Sequence, residues 1–324
     1  VNAVIFYSLP EVLFLLAGAI VLDWLIGDPR WLPHPVIFIG KWIGYWEKRL
    51  LPLQAKRRNG ILLMLIVTLS SLALVWILTA AASWVHPWFG YAVHMWLIST
   101  TIAIKGLKDA AMLVYDRLRS GDLTEARKYT GYIVGRDTDE LEEAELSRAT
   151  VETVAENTVD AVISPLFFAL LGAAPLAMLY RAVNTLDSMV GYRNAKYILF
   201  GWASARLDDV LNWIPARITG LLLIIVSSLY RPTSAIQAWR AVIAFAHLHP
   251  SPNSGIPEAA VAGGLGIQLG GLNRYGGVIS ERARLGWATR TIQKEDIIHT
   301  IRLLYGVSYL VMGGLLCAAC GWLV

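Results

Sequence analysis

The sequence predicts an all-α, multi-pass integral membrane protein. The expected form is a helical bundle of about four to six membrane segments, some broken or re-entrant, with further helices on the cytoplasmic side. Three observations carry this. Apolar residues make up 56% of the 324 residues and charged ones only 16%, where soluble domains carry about a quarter. There are 13 tryptophans, a residue favoured at membrane–water interfaces. Residues 61–85 run 25 positions without a charge, enough to cross roughly 30 Å of hydrocarbon. The net charge of +4 is spread among loops, which suits membrane orientation rather than a nucleic-acid partner. The two cysteines, Cys317 and Cys320, both sit in the last apolar run, so neither a disulfide framework nor a zinc site is expected.

Taken in order, residues 1–26 read as a first span, interrupted by Glu11 and Asp23. No Lys or Arg lies ahead of its apolar run, so it is expected to be retained rather than cleaved. It runs into a polar rim, Gly27-Asp28-Pro29-Arg30 and then His34-Pro35. Residues 41–58 carry Lys41, Lys48, Arg49, Lys56, Arg57 and Arg58 against Glu47, which marks a cytoplasmic loop. Residues 61–85 then lead outward, and residues 89–104 return. Residues 105–160 read as a cytoplasmic helical portion, with helix starts at Asp122-x-x-Glu125 and Asp137-x-x-Glu140. Gly135-Arg136-Asp137-Thr138 would feed the second of these, and a helix N-terminus offers N–H groups to a phosphate. Residues 161–180 are apolar but hold Pro165, Gly172 and Pro175, and the run 218–230 is short. Basic residues flank both, so broken or re-entrant segments buried in protein are expected. Residues 303–324 form a last span. The whole is expected to be one membrane domain, with residues 181–302 as its polar, site-forming portion.

Polar residues gather in five places. Arg148, Glu152, Glu156 and Asp160 follow at i, i+4 steps, one stripe of a helix. Arg181, Asn184, Asp187 and Ser188 share a second helical face, and Arg206, Asp209 and Asn212, with Asp208 beside them, a third. His249-Pro-Ser251-Pro-Asn253-Ser254-Gly255 follows, backed by Glu258, and then the glycine-dense stretch 263–271. Any one of these alone fits a solvated helix or turn; together, in so sparingly charged a chain, they point to a site. Carboxylates with Asn suit Mg2+, which keeps waters and bridges to phosphates. Neighbouring Arg suits phosphate oxygens, and glycine backbone suits close approach of a large anion. The chain has no Walker A loop, no His-Glu-x-x-His and no Gly-x-Ser-x-Gly.

The strings Gly27-Asp-Pro with His34-Pro-Val, Gly135-Arg-Asp-Thr, Arg148-Ala-Thr-Val-Glu-Thr-Val-Ala-Glu-Asn157, Tyr180-Arg-Ala-Val-Asn-Thr-Leu-Asp-Ser-Met-Val-Gly-Tyr192, Ser204-Ala-Arg-Leu-Asp-Asp209, Asn212-Trp-Ile-Pro-Ala-Arg217 and His249-Pro-Ser-Pro-Asn-Ser-Gly255 carry a resemblance that covers nearly the whole chain. It resembles the cobinamide-phosphate synthase family of cobalamin (vitamin B12) biosynthesis, a multi-pass membrane family. One departure is that Ala283 and Arg284 stand where the family pattern has an Arg-Pro pair.

The resemblance implies an ATP- and Mg2+-dependent carbon–nitrogen ligase in a bacterial or archaeal cytoplasmic membrane, its site facing the cytoplasm. Its substrates would be adenosylcobyric acid and aminopropanol or aminopropanol phosphate, with membrane lipid around it, no nucleic acid, and a homo-oligomer as a further option. On that footing Glu152, Glu156, Asp160, Asp187, Asp208 and Asp209 form the pool of Mg2+ ligands. Arg136, Asp137, Arg148, Arg181, Asn184 and Arg206 would serve ATP or phosphate. His34, oriented by Asp28, or His249 would take the amine proton, and Asn184 and Asn253 would position substrate amides. Two other classes compete: a transporter or non-catalytic signalling relative, and an intramembrane Mg2+-diphosphate transferase suggested by Asp208-Asp209-x-x-Asn212.

Overall fold

A computed structural model describes residues 3–4, 7–29, 31 and 33–321. Arg30 and residues 322–324, the end of the expected last span, lie outside the described residues. The chain divides into two compact units: residues 1–103, 160–212 and 312–324 form the first, and residues 104–159 and 213–311 the second.

The first unit begins with a short hairpin, β1 (Ala3–Val4) and β2 (Tyr7–Ser8). The helices α1 (Leu9–Leu25), α2 (Pro35–Leu50), α3 (Lys56–Val85) and α4 (Pro87–Ser99) follow. Ser8 opens α1 in a capping box with Glu11, and His34 opens α2 by accepting the Val36 N–H at 3.3 Å. The unit also holds α8 (Ser164–Val190) and α9 (Trp202–Leu211). Leu15, Leu16, Ile20, Ile43, Leu63 and Ile98 are fully buried between α1, α2, α3 and α4, and α8 packs against all four.

The second unit holds α5 (Ile104–Arg119), α6 (Leu123–Gly131), α7 (Glu143–Thr158), α10 (Trp213–Leu229), α11 (Ala235–Phe245) and α12 (Gly255–Leu265). The hairpin β3 (Leu269–Tyr275) and β4 (Val278–Leu285) comes next, antiparallel with Leu269 opposite Leu285 and Tyr275 opposite Val278. It leads into α13 (Glu295–Gly321). Asp122 caps α6 as expected, its carboxylate accepting the Glu125 N–H at 3.0 Å.

Among the described residues three helical stretches are long and apolar enough to cross a membrane. These are α3, the stretch from Glu143 to Val190, and α13; α9 with α10 makes a fourth if the bent pair is one broken span. Large apolar side chains line the outside of α3, among them Leu69, Leu74, Ile77 and Trp84, as a lipid-facing helix requires. The break expected after residue 160 is present. Gly172 and Ala173 leave helical geometry, with Ala173 at φ 48°. The Ala174 N–H freed there donates to His94 Nδ1 at 3.4 Å, so buried irregular backbone keeps a partner.

Five expectations are corrected. At about 1.5 Å per residue, the 17 residues of α1 and 13 of α4 reach only about 26 and 20 Å, short of a straight crossing. Residues 41–50 are the second half of α2, not a loop; their basic residues ride an amphipathic helix. Asp137-x-x-Glu140 opens no helix; α7 starts instead at Glu143, capped by Glu142, whose N–H is taken by Glu145 at 3.1 Å. The carboxylate stripe is also interrupted. α7 ends at Thr158 and a π-helical turn takes over at Val159–Ile163, so the run of α-helical i, i+4 steps stops before Asp160. The glycine-dense stretch is not one continuous loop: it forms the end of α12 and the start of β3. A Cβ on Gly263 would fall 2.4 Å from the Gln237 carbonyl of α11, and Gly270 takes φ +81° at a bulge in β3.

Candidate functional site

Each unit builds one polar cluster. In the first unit it centres on Asp208 of α9, which is almost fully buried. Asn212 Nδ2 donates to Asp208 Oδ2 at 2.9 Å and Asn184 Nδ2 to Oδ1 at 3.4 Å. Asn212 is itself held: its Oδ1 lies 2.5 Å from Ser164 Oγ and 2.9 Å from the Tyr180 hydroxyl. That hydroxyl is also 3.3 Å from the Asp160 carbonyl oxygen, which brings the π turn to the cluster. Arg181 Nη1 donates to Asn184 Oδ1 at 3.3 Å, while its buried Nε has no acceptor. Asp187 and Asp209 lie within electrostatic reach of Asp208, and the Arg206 guanidinium approaches the Asp209 carboxylate at 3.4 Å from a largely exposed position. Asp160, Arg181, Asn184, Asp187, Arg206, Asp208 and Asp209 are thus grouped around α8 and α9. The direct donors to the Asp208 carboxylate are neutral amides, and that is a costly way to bury a charge.

The first unit also joins Asp28 to His34, with Asp28 Oδ1 3.0 Å from His34 Nε2. His34 Nδ1 accepts the Val36 N–H, so the proton sits on Nε2 and points at the carboxylate. The expected orientation of His34 by Asp28 is therefore present.

In the second unit the Glu152 carboxylate is fully engaged. Arg136 pairs with Oε2, while Arg148 Nη1 at 3.1 Å and the Gly270 N–H at 2.7 Å reach Oε1. Asn273 Oδ1 accepts from both guanidiniums, at 2.7 Å from Arg136 and 3.2 Å from Arg148. Arg148 also donates to the Gly270 and Leu272 carbonyls. These residues clamp α7 to β3. Asp137 accepts the Gly276 and Gly277 N–H groups at 3.0 and 2.7 Å. Those bonds hold its carboxyl below the usual range and close the hairpin turn, so Asp137 sits where an anion would have bound.

Beside this frame, Glu156 Oε1 accepts the Ser254 hydroxyl at 2.9 Å. Asn253 Oδ1 accepts from Arg217 at 3.3 Å. His249 Nδ1 lies 3.0 Å from the Ser251 amide nitrogen and 3.3 Å from the Ser251 carbonyl oxygen, and the far ring nitrogen is Nε2. That nitrogen is buried without a hydrogen-bond partner and lies 3.7 Å from Glu258 Oε1. Burial pushes the His249 imidazole below its ordinary value. Burial, and then the charges of Glu156 and Glu152, push the Glu258 carboxyl well above its own. Both directions favour a neutral pair. Glu258, Tyr180, Ser164 and Asn273 were not among the expected site residues. Glu258 alone had a signal, three residues into a helix behind His249.

Among the described residues no set of three or more His, Cys, Asp or Glu is gathered as a metal cage. Mg2+ needs none, since it binds through one or two carboxylates with waters and phosphate oxygens. The oxygen-rich surroundings of Asp208, whose direct donors are neutral amides, fit that ion, and the acceptor-free Arg181 Nε fits a phosphate beside it.

The family model described as "CobD/Cbib protein" matches residues 16–304. The chain belongs to the CobD/Cbib family. It is 50% identical over 293 residues to "Cobalamin biosynthesis protein CobD" of Halalkalibacterium halodurans, covering 89% of this chain and 91% of that protein. It is 49% identical over 295 residues to the protein of the same name in Geobacter metallireducens, with 91% and 92% covered. "Cobalamin biosynthesis protein CbiB" of Salmonella typhimurium is 47% identical over 308 residues, 93% of this chain and 95% of that one. No solved structure matches. Every candidate residue of this CobD/Cbib chain, from Asp28 to Glu258, falls inside the matched stretch.

Proposed function

We propose that the chain is an enzyme of cobalamin biosynthesis. It joins the free side-chain carboxylate of adenosylcobyric acid to aminopropanol, or to aminopropanol phosphate, in an amide bond, using ATP with Mg2+. Family membership over nearly the whole chain supports the pathway. The single observation that carries the chemistry is the buried Asp208 carboxylate, held by Asn184 and Asn212 next to Arg181.

A carboxylate forms no amide unaided in water, so it must first be activated, as an acyl phosphate on our reading. The protein's share is positioning and charge neutralisation. Asp208, Asp187, Asp209 and Asp160 would hold Mg2+, whose role is to neutralise phosphate oxygens; Glu156, in the second unit, is engaged by Ser254. Arg181 and Arg206 would grip phosphate. Glu152, Arg136 and Arg148 we read as the frame that fixes α7, because their hydrogen bonds are spent on one another and on β3. The attacking amine must shed a proton, and His34 and His249 are the candidate acceptors; each would need its proton-free nitrogen or a relay through its neighbour. The lysine and arginine bias of residues 41–58 supports a site on the cytoplasmic face of a cytoplasmic membrane.

The test is direct. Purified protein in detergent is given ATP, Mg2+, adenosylcobyric acid and aminopropanol or its phosphate, and the products are read by mass spectrometry. An amide that forms only with ATP, and that Asp208→Asn depresses strongly, supports the reading. No amide with either amine sinks it.

A further inference from the structure

In the first unit a groove of about 780 Å³ runs between α2 and α3, floored by Leu97 of α4 and Met178 of α8. It lies in the size range of small-molecule sites, about 300–1,000 Å³. None of the carboxylates of the Asp208 cluster lines it. Its walls are Phe38, Trp42 and Tyr45 of α2 facing Leu74 and Leu78 of α3. These are large apolar side chains, all exposed, and α3 is long and apolar enough to cross a membrane. A groove so placed opens toward hydrocarbon.

Its lining holds one cation, Lys41, and no acid, with Ser70 and Ser71 as neutral polar groups; Arg49 lies beyond the lining, against Tyr45. Lys41 lines the groove, its Nζ 5.9 Å from the Phe38 ring. The Arg49 guanidinium lies 3.5 Å over the Tyr45 ring. Tyr45 in turn stacks on Trp42, with centroids 5.4 Å apart and planes 8° from parallel. Trp42 Nε1 donates to Ser70 Oγ at 3.2 Å, tying the stack to α3. The same helical hairpin carries Lys48, Lys56, Arg57 and Arg58. Its Glu47 is taken up by Lys196 at 2.9 Å, so no acid on α2 offsets Lys41 and Arg49.

We propose that this groove is a site for an anionic phospholipid of the surrounding bilayer. One acyl chain lies along Phe38, Trp42, Leu74 and Leu78, and the headgroup phosphate meets Lys41 and Arg49. Apolar walls between helices with a basic rim are the chemistry that selects a negatively charged headgroup over a zwitterionic one. The substrates of the proposed reaction are polar or bear many amides, and the apolar walls give amides no partner.

Delipidated protein is titrated in detergent with phosphatidylglycerol and with phosphatidylcholine of identical acyl chains, and bound lipid is counted by native mass spectrometry. Wild type is expected to bind phosphatidylglycerol at least about fivefold more tightly. Lys41→Gln, an exposed change that leaves packing intact, is expected to cut that preference about fivefold. Leu74→Trp, also at an exposed position, fills the groove and is expected to weaken both lipids. Equal binding of the two lipids by wild type overturns the proposal, as does full phosphatidylglycerol binding by both variants. A dimer lost on Leu74→Trp without any lipid retained by wild type overturns it in favour of a second copy of the chain.

Discussion

Asn212 fixes the Asp208 carboxylate. One turn along the chain, its amide nitrogen donates to Asp208 Oδ2 at 2.9 Å, while its own oxygen is clamped by Ser164 and Tyr180. The amide therefore cannot flip without losing both clamps. On the proposed function Asp208 holds Mg2+, and groups that orient a metal ligand in this way typically matter 10–100-fold to affinity or activity. Asn212→Ala is expected to raise the Mg2+ concentration needed for half-maximal amide synthesis by about that factor. An unchanged Mg2+ dependence would separate Asp208 from the metal.

Glu152→Ala tests the frame. The variant strands two guanidiniums, of which Arg136 is buried, and losing one partner of a buried pair costs about 3–5 kcal/mol. The melting temperature in detergent is expected to fall with or without substrates. Glu152→Ala paired with Arg136→Met should recover part of the loss, since the uncompensated charge is then gone. A normal melting temperature with lost Mg2+ response would return Glu152 to the ligand set.

His94→Leu probes the break in α8. It removes the acceptor of the Ala174 N–H, and an unsatisfied buried donor costs about 1–3 kcal/mol. Faster hydrogen exchange confined to residues around Ala173 is the expected signature. Uniform exchange across α8 would show that the break does not depend on that bond.

His249 sets a pH dependence of stability. Its folded pKa is depressed below 6.5, so as pH falls below that value the unfolded chain takes up the proton first. The stability from burying the neutral imidazole is complete above pH 6.5 and is lost as pH falls toward the folded pKa. Glu258 has the opposite sign: its raised pKa makes its contribution full below 4.5 and lost as pH rises. Between pH 4.5 and 6.5 the two trends oppose each other. His249→Gln is expected to remove the destabilisation on acidification and leave only the decline with rising pH, measured as melting temperature against pH. Superimposable curves for wild type and variant would rule His249 out as the titrating group.

Part of the candidate site's geometry is local, and of it the sequence anticipated the Asp28–His34 pair. Asp28 and His34 are six residues apart, and Asp208 and Asn212 four, distances that a turn or a helix closes by itself. The break after residue 160 was legible from Gly172 and Pro175, because neither favours a helix interior. Asp137 misled for a physical reason. A carboxylate that caps a helix and one that closes a hairpin both seek bare N–H groups, and only the course of β3 and β4 chooses between them.

By itself the sequence determined the family, the helical membrane character, the span at α3 and the pairing of Asp28 with His34. Those follow from composition, helical periodicity and short-range sterics. Only the tertiary structure decided what Glu152 does. Its partner N–H, Gly270, is 118 positions away, and no i, i+4 pattern encodes a contact at that separation. Tertiary structure likewise brought Tyr180 and Ser164 onto Asn212 across 32 and 48 positions. A helix face records which side chains travel together, whereas the chain reversals between helices decide what that face meets.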